Sequence, residues 1–205
     1  EPGVNQRIGG GLSPKTIKHY HTFISSVMER AVKWGIVSEN PCRRVDAPKA
    51  DRKQVAYMDD EQARAFLVAL ADEPLDYQAI FTTLLLTGMR RGELLGLEWP
   101  DVDFDKGVIH IRRTSQYGGK EKGVFTDTTK TEQSMRSISV PAELLDLLRQ
   151  YRAWQNERRL LLGDAWDDEW TKHPRLFTSS IGAPMHPDLP YNMLHKMLKL
   201  SLIHI

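Results

Sequence analysis

Apolar residues recur at helical spacing over LSPKTIKHYHTFISSVMERAVKWG, where Ile17, Tyr20, Ile24, Val27, Ala31 and Trp34 share one face. Ser13 is placed to cap that helix, Pro14 suits its first position, and Gly35 is a C-terminal stop. A second helix begins at Asp59 or Asp60, with acidic residues in the first turn where the helix dipole favours them. Another covers about 75–87, and a third follows the Gly88 break over about 90–98. The period then changes. VDFDKGVIHIRRT and QSMRSISV alternate apolar and polar residues as strands do. Between them SQYGGKEKGVFTDTTKTE is polar and glycine-rich, a long hairpin connection with room for a further strand. PAELLDLLRQYRAWQNERRLL is an amphipathic helix opening on Pro141, residues 163–190 are irregular, and LPYNMLHKMLKL starts a last helix. The pattern predicts a mostly helical α+β chain. A small all-α module (1–46) is joined by a charged, proline-bearing linker (47–56) to a helical domain (57–205) with a small antiparallel β-hairpin sheet.

Composition alters this picture little. The chain of 205 residues suits one large domain or two small ones. Its single cysteine, Cys42, excludes an internal disulfide and a cysteine metal cage. No apolar run approaches the roughly 20 residues of a membrane span, and a cytoplasmic protein is the simplest reading. Charge is distributed unevenly. Residues 1–56 hold ten Lys/Arg against five Asp/Glu, and the remainder eighteen against twenty-two, within a net of +1. The basic end is either a polyanion-docking surface or a solvated helix face; charge alone leaves both open.

LLLTGMRRGELLGLEW puts permanent cations inside an apolar stretch. On a helix over about 90–98, Arg90 shares a stripe with Leu94 and Leu97, and Glu93 lies beside it. A desolvated guanidinium needs a carboxylate, a ligand anion or both. Arg90 is therefore a structural ion pair with Glu93, or a phosphate ligand oriented by it. Further on, TTKTEQSMRSISVP places Lys130 between threonines just before a strand, and Arg136 within it. A lysine at a hairpin edge is either exposed surface or a proton donor that swings to a bound ligand.

Together, T-G-M-R-R-G-E-L-L-G-L-E-W-P-D-V-D and T-K-T-x-x-S-x-R resemble the tyrosine recombinases, in particular the integrases of phages and conjugative transposons. The resemblance extends to the first helix, similar to the end of the family's core-binding domain, to YMDDEQARAFLVAL at the start of its catalytic domain, and to LFTSSIGAPMHP. It implies a metal-free, cofactor-free reaction in which a tyrosine hydroxyl attacks a DNA phosphate, forms a 3′-phosphotyrosyl link and releases a 5′ hydroxyl. Arg90 is then the arginine that neutralises the phosphate's non-bridging oxygens, Glu93 the acidic residue bracing it, and Lys130 the donor to the 5′ leaving oxygen. Arg91 falls at a variable position of the motif. Double-stranded DNA is the implied partner, contacted by Lys15, Thr16 and Lys18 in the first module and by Thr129, Thr131 and Arg136 around Lys130.

The family's His-x-x-Arg and nucleophilic tyrosine are not recognisable here: His186 and His195 have no arginine three residues on, and Tyr191 lies too early. The expectation is a chain that stops before half of its site and binds DNA without cleaving it. It would be a monomer where the intact recombinase forms a homotetramer on DNA. The alternative from another class is a non-catalytic DNA-binding protein that occupies attachment sites. DVDFDKG, over 101–107, fails the calcium-loop pattern at Lys106 and Arg112, and the acidic loop around Trp166 and His173 matches no standard metal spacing, so no metal site is expected.

Overall fold

The computed structural model describes residues 11–49, 57–128, 135–167 and 169–200. The chain divides into two compact units, Glu1–Ala56 and Tyr57–Ile205.

In the first unit, helix α1 (Pro14–Lys33) starts where Ser13 Oγ accepts the Thr16 amide at 3.2 Å. It ends at Trp34, followed by Gly35 in the left-handed region (φ 72°). The chain returns as a 3-10 turn, Pro41–Arg44, held on α1 by buried Asn40, whose Nδ2 donates to Ser25 O (3.1 Å) and Glu29 Oε1 (2.7 Å). Arg43 closes on the same Glu29 carboxylate at 2.8 and 3.0 Å. No residue of α1 is buried, and its apolar stripe from Ile17 to Val27 stays open to solvent among the described residues. Among its described residues this unit is held by polar clasps rather than by a core.

The second unit has a core. Helix α2 (Asp60–Ala71) opens with a reciprocal capping box between Asp59 and Gln62. Helix α3 (Leu75–Thr87) stops at Gly88, whose left-handed φ of 59° lets its N–H reach Leu84 O. Helix α4 (Arg91–Gly96) follows, then a 3-10 turn at Trp99–Asp101. Strands β1 (Val102–Asp103), β2 (Val108–Ile111), β3 (Arg113–Tyr117), β4 (Val124–Thr128) and β5 (Arg136–Ser139) come next, and helices α5 (Ala142–Leu162), α6 (Glu169–Lys172) and α7 (Leu189–Leu200) complete the unit. Strands β1, β2 and β5 form one antiparallel sheet in that order, and β3 and β4 a separate hairpin. The polar connection therefore does contain a further strand. Residues 163–190, expected to be irregular, carry a 3-10 turn, α6 and two isolated bridges, Glu98–Arg175 and Thr178–Pro184.

Helix α4 lies at the centre. Leu94, Leu95 and Leu97 are buried with Ile80 and Phe81 of α3, Ile109 and Ile111 of β2, and Leu144, Leu148 and Tyr151 of α5. Each fully buried leucine or isoleucine contributes roughly 1.5–3 kcal/mol of apolar transfer. The other face of α4 meets β3 through glycines. A methyl on Gly96 would stand 2.9 Å from the Arg113 carbonyl oxygen, and one on Gly92 2.5 Å from Thr114 Oγ1.

One expectation changes here. The helix predicted over 90–98 spans Arg91–Gly96, and Arg90 precedes it as the N-cap with extended backbone (φ −70°, ψ 149°). Arg90 therefore has no place on an apolar helical stripe, and its side chain is 81% exposed. The reason is local. The left-handed turn at Gly88 reverses the chain, and an N-cap residue must be extended to start a new helix.

Candidate active site

The site is built around one carboxylate. Glu93 sits in the first turn of α4 with its side chain 6% exposed. Four donors meet its two oxygens. Arg90 donates its backbone N–H to Oε2 at 2.8 Å and Nη1 to Oε1 at 3.0 Å. Arg136, from the first position of β5, donates Nη1 to Oε1 at 2.9 Å and Nη2 to Oε2 at 2.8 Å. The Arg136 pair is a two-point, charge-assisted fork. It is the largest influence holding the Glu93 carboxyl down at about 2, with the Arg90 backbone and side-chain hydrogen bonds adding to it and burial opposing. The same contact raises the Arg136 guanidinium. Glu93 is thus ionised at any working pH.

Two cations against one buried anion leave a net positive charge. The more exposed cation is Arg90: one terminal nitrogen is on Glu93, and its side chain is 81% exposed against 37% for Arg136. A guanidinium held in this way can receive an anion such as a phosphate without first breaking an ion pair.

Of the site residues expected from the sequence, Arg90, Glu93 and Arg136 are brought together. Arg136, expected beside DNA, has its guanidinium forked onto Glu93. The signal that could have found this was the alternation of β5: Arg136 and Ile138 share a parity, so Arg136 shares the half-buried face. Thr129, Lys130 and Thr131 lie outside the described residues. Lys15, Thr16 and Lys18 belong to the other unit. Lys15 and Lys18 are exposed, whereas Thr16 is half-buried with its hydroxyl 2.9 Å from Ser13 Oγ.

Sequence reasoning missed three supporting clusters. Arg91, the first residue of α4, reaches Asp188 Oδ1 at 3.3 Å just before α7, and His186 packs edge-on against Tyr117 of β3 at 4.5 Å between ring centroids. These contacts tie the start of α4 and the β3–β4 hairpin to the approach to α7. Under the base of the hairpin, Arg113 Nη1 lies 2.7 Å from Asp101 Oδ2 and 2.9 Å from Glu98 Oε2, with Asp101 fully buried. Buried Gln155 of α5 accepts the Trp99 Nε1–H at 2.7 Å and donates to Leu176 O at 3.1 Å. None carried a sequence signal, because every partner is distant along the chain. A separate cavity of about 190 Å³, lined by Val124, Trp170, His173 and Arg175, contains none of the expected site residues. Among the described residues no group of three or more His, Cys, Asp and Glu is arranged to hold a metal ion. No described helix is long and apolar enough to cross a membrane.

Residues 56–203 match the family described as the phage integrase family. The chain belongs to this family, the tyrosine recombinases and integrases. A tyrosine recombinase XerC-like protein of Caldanaerobacter subterraneus is 29% identical over 185 residues, 84% of this chain and 46% of that protein. The ICEBs1 integrase of Bacillus subtilis is 31% identical over 148 residues, 72% of this chain and 39% of that protein. The chain therefore spans less than half the length of these curated relatives. Among solved structures, the Tn1549 transposon integrase in complex with a circular intermediate DNA covers 94% of this chain, and this chain covers 60% of it, with a TM-score of 0.75 and 23% identity. A lambda integrase dimer bound to a COC′ core site covers 94% of this chain, with a TM-score of 0.56 and 14% identity. Both likenesses concern the fold, which here is the mostly helical integrase fold with small antiparallel sheets.

Proposed function

We propose that the protein from which these residues come carries out site-specific DNA recombination through a 3′-phosphotyrosyl intermediate. In this reading Arg90 binds the non-bridging oxygens of the scissile phosphate and stabilises the charge that gathers there in the transition state. Glu93 orients Arg90, and Lys130 protonates the departing 5′ oxygen. Lys15, Thr16, Lys18, Thr129 and Thr131 add phosphate contacts that give affinity rather than sequence choice. The observation that carries the reading is the exposed Arg90 guanidinium, braced by a buried carboxylate whose own charge is already matched by Arg136. The family assignment supports it, as do the DNA-bound states in which the Tn1549 and lambda integrases were solved. The cytoplasm, where bacterial DNA lies, is the compartment the reading assigns.

After Lys130 these 205 residues carry no His-x-x-Arg, the one at His110–Arg113 lying ahead of it, so in this reading the chain itself binds duplex DNA as a monomer without cutting it. Two measurements test this. A gel shift at two salt concentrations should show binding that weakens steeply as salt rises; no binding at low salt sinks the reading. Incubation with a nicked duplex that traps cleavage intermediates should give no covalent protein–DNA adduct, and an adduct would overturn the assignment of inactivity.

A further inference from the structure

We propose that Arg136 is a positioning residue: it matches the charge of Glu93 so that Arg90 keeps its own charge for the phosphate. This rests on the reading of Arg90 as the phosphate ligand. With Arg90 and Glu93 alone, the pair would be neutral, and an incoming phosphate would meet an exposed cation already matched by a buried anion. Arg136 changes the balance. Its fork occupies one lone-pair direction of each Glu93 oxygen, at 2.9 and 2.8 Å, leaving the remaining directions to the Arg90 backbone and side chain at 2.8 and 3.0 Å. The three side chains together carry one net positive charge, and Arg90, 81% exposed against 37% for Arg136, is the more open of the two cations.

The backbone fixes this arrangement. Arg136 stands opposite Ile111 in the β2–β5 ladder, and Ile111 is fully buried. Glu93 is fixed in α4, where Leu94 and Leu95 anchor the helix in the core. The carboxylate is therefore held between two rigid elements, and Arg136 is the bond that joins them at this point. A lysine there would supply charge but only a single point of attachment.

The test uses the chain with uniform 15N and 13C labelling and inorganic phosphate as the probe. Phosphate binding is followed at the Arg90 Nε–H, and protonation at the Glu93 carboxyl carbon. In R136A the Glu93 carboxyl should titrate close to the ordinary carboxylate range, and phosphate affinity at Arg90 should fall about tenfold, as expected when a neighbouring unit charge is no longer matched. R136K should fall between R136A and the wild type, and it carries the same comparison if R136A fails to fold. The double variant E93Q/R136A decides the cause. With the carboxylate charge gone, Arg90 should again bind phosphate to within about threefold of the wild type. A purely structural Arg136 would leave the double variant at least as weak as R136A, and that result overturns the proposal. An unmoved Glu93 titration in R136A or R136K overturns it as well. If phosphate fails to perturb Arg90 in the wild type, the phosphate-ligand reading falls, and the Glu93 titration alone decides whether Arg136 holds the carboxylate.

Discussion

Replacing Glu93 by glutamine removes the carboxylate's charge while keeping its shape. In the folded chain its carboxyl lies at about 2, against 4.5 in an unfolded one. A carboxyl whose folded value is depressed stabilises the fold above its unfolded value, and that contribution is lost as pH falls through the folded value. At about 1.4 kcal/mol per decade, the displacement amounts to roughly 3 kcal/mol at pH 7. At pH 3 the unfolded carboxyl is already protonated and the folded one mostly is not, which leaves roughly 1 kcal/mol. Acidification from pH 7 to pH 3 should therefore cost roughly 2 kcal/mol through this one residue. The side chain is only 6% exposed, so solvent screening reduces the figure little. Urea unfolding followed by tryptophan fluorescence reads the second unit through Trp99, Trp154, Trp166 and Trp170. Other groups titrate in the same window, but they do so in both proteins. The gap in unfolding free energy between wild type and Glu93→Gln isolates Glu93, and it should narrow by roughly 2 kcal/mol between pH 7 and pH 3. A gap constant to within about 0.5 kcal/mol over that range would refute the assignment of a strongly held, ionised carboxylate.

Further outcomes are expected elsewhere. Arg90→Ala should leave thermal stability nearly unchanged, because the side chain is 81% exposed, while weakening duplex DNA binding in a gel shift; a large loss of Tm would mean that the pair is structural. Gly96→Ala removes a residue that is poor in helices, yet a methyl there meets the Arg113 carbonyl at 2.9 Å. The clash should outweigh the gain and cost about 1–3 kcal/mol in chemical denaturation. Gln155→Leu keeps the volume but strands the buried Trp99 Nε1–H and the Leu176 carbonyl, and it should cost about 2–4 kcal/mol in the same assay. Asn40→Ala removes the contacts to Ser25 and Glu29 and should loosen the first unit without moving the unfolding transition of the second; hydrogen exchange on α1 amides checks it.

The sequence by itself determined what is encoded locally. Ser13, Asp59 and Gly88 mark helix ends because the chemistry of a cap involves residues only three or four apart. The alternation of VIHI and RSIS marks β2 and β5, because a strand's two faces are read within the strand itself. The order of T-G-M-R-R-G-E and T-K-T-x-x-S-x-R was enough to suggest the family, and it named Arg90 and Glu93 as partners from their spacing of three. Only the tertiary structure decided what each partner does. A helical wheel drawn through 90–98 put Arg90 on an apolar face, but the wheel does not apply to an N-cap. Which residue neutralises Glu93 could not be read from local spacing, because Arg136 is 43 positions away and arrives through the β2–β5 register. The same holds for Arg113 on Asp101, Arg91 on Asp188 and Gln155 on Trp99. A buried charge must be matched, but which distant side chain matches it depends on how the elements pack. Local patterning therefore fixed the elements and the candidate residues, and packing assigned the charges.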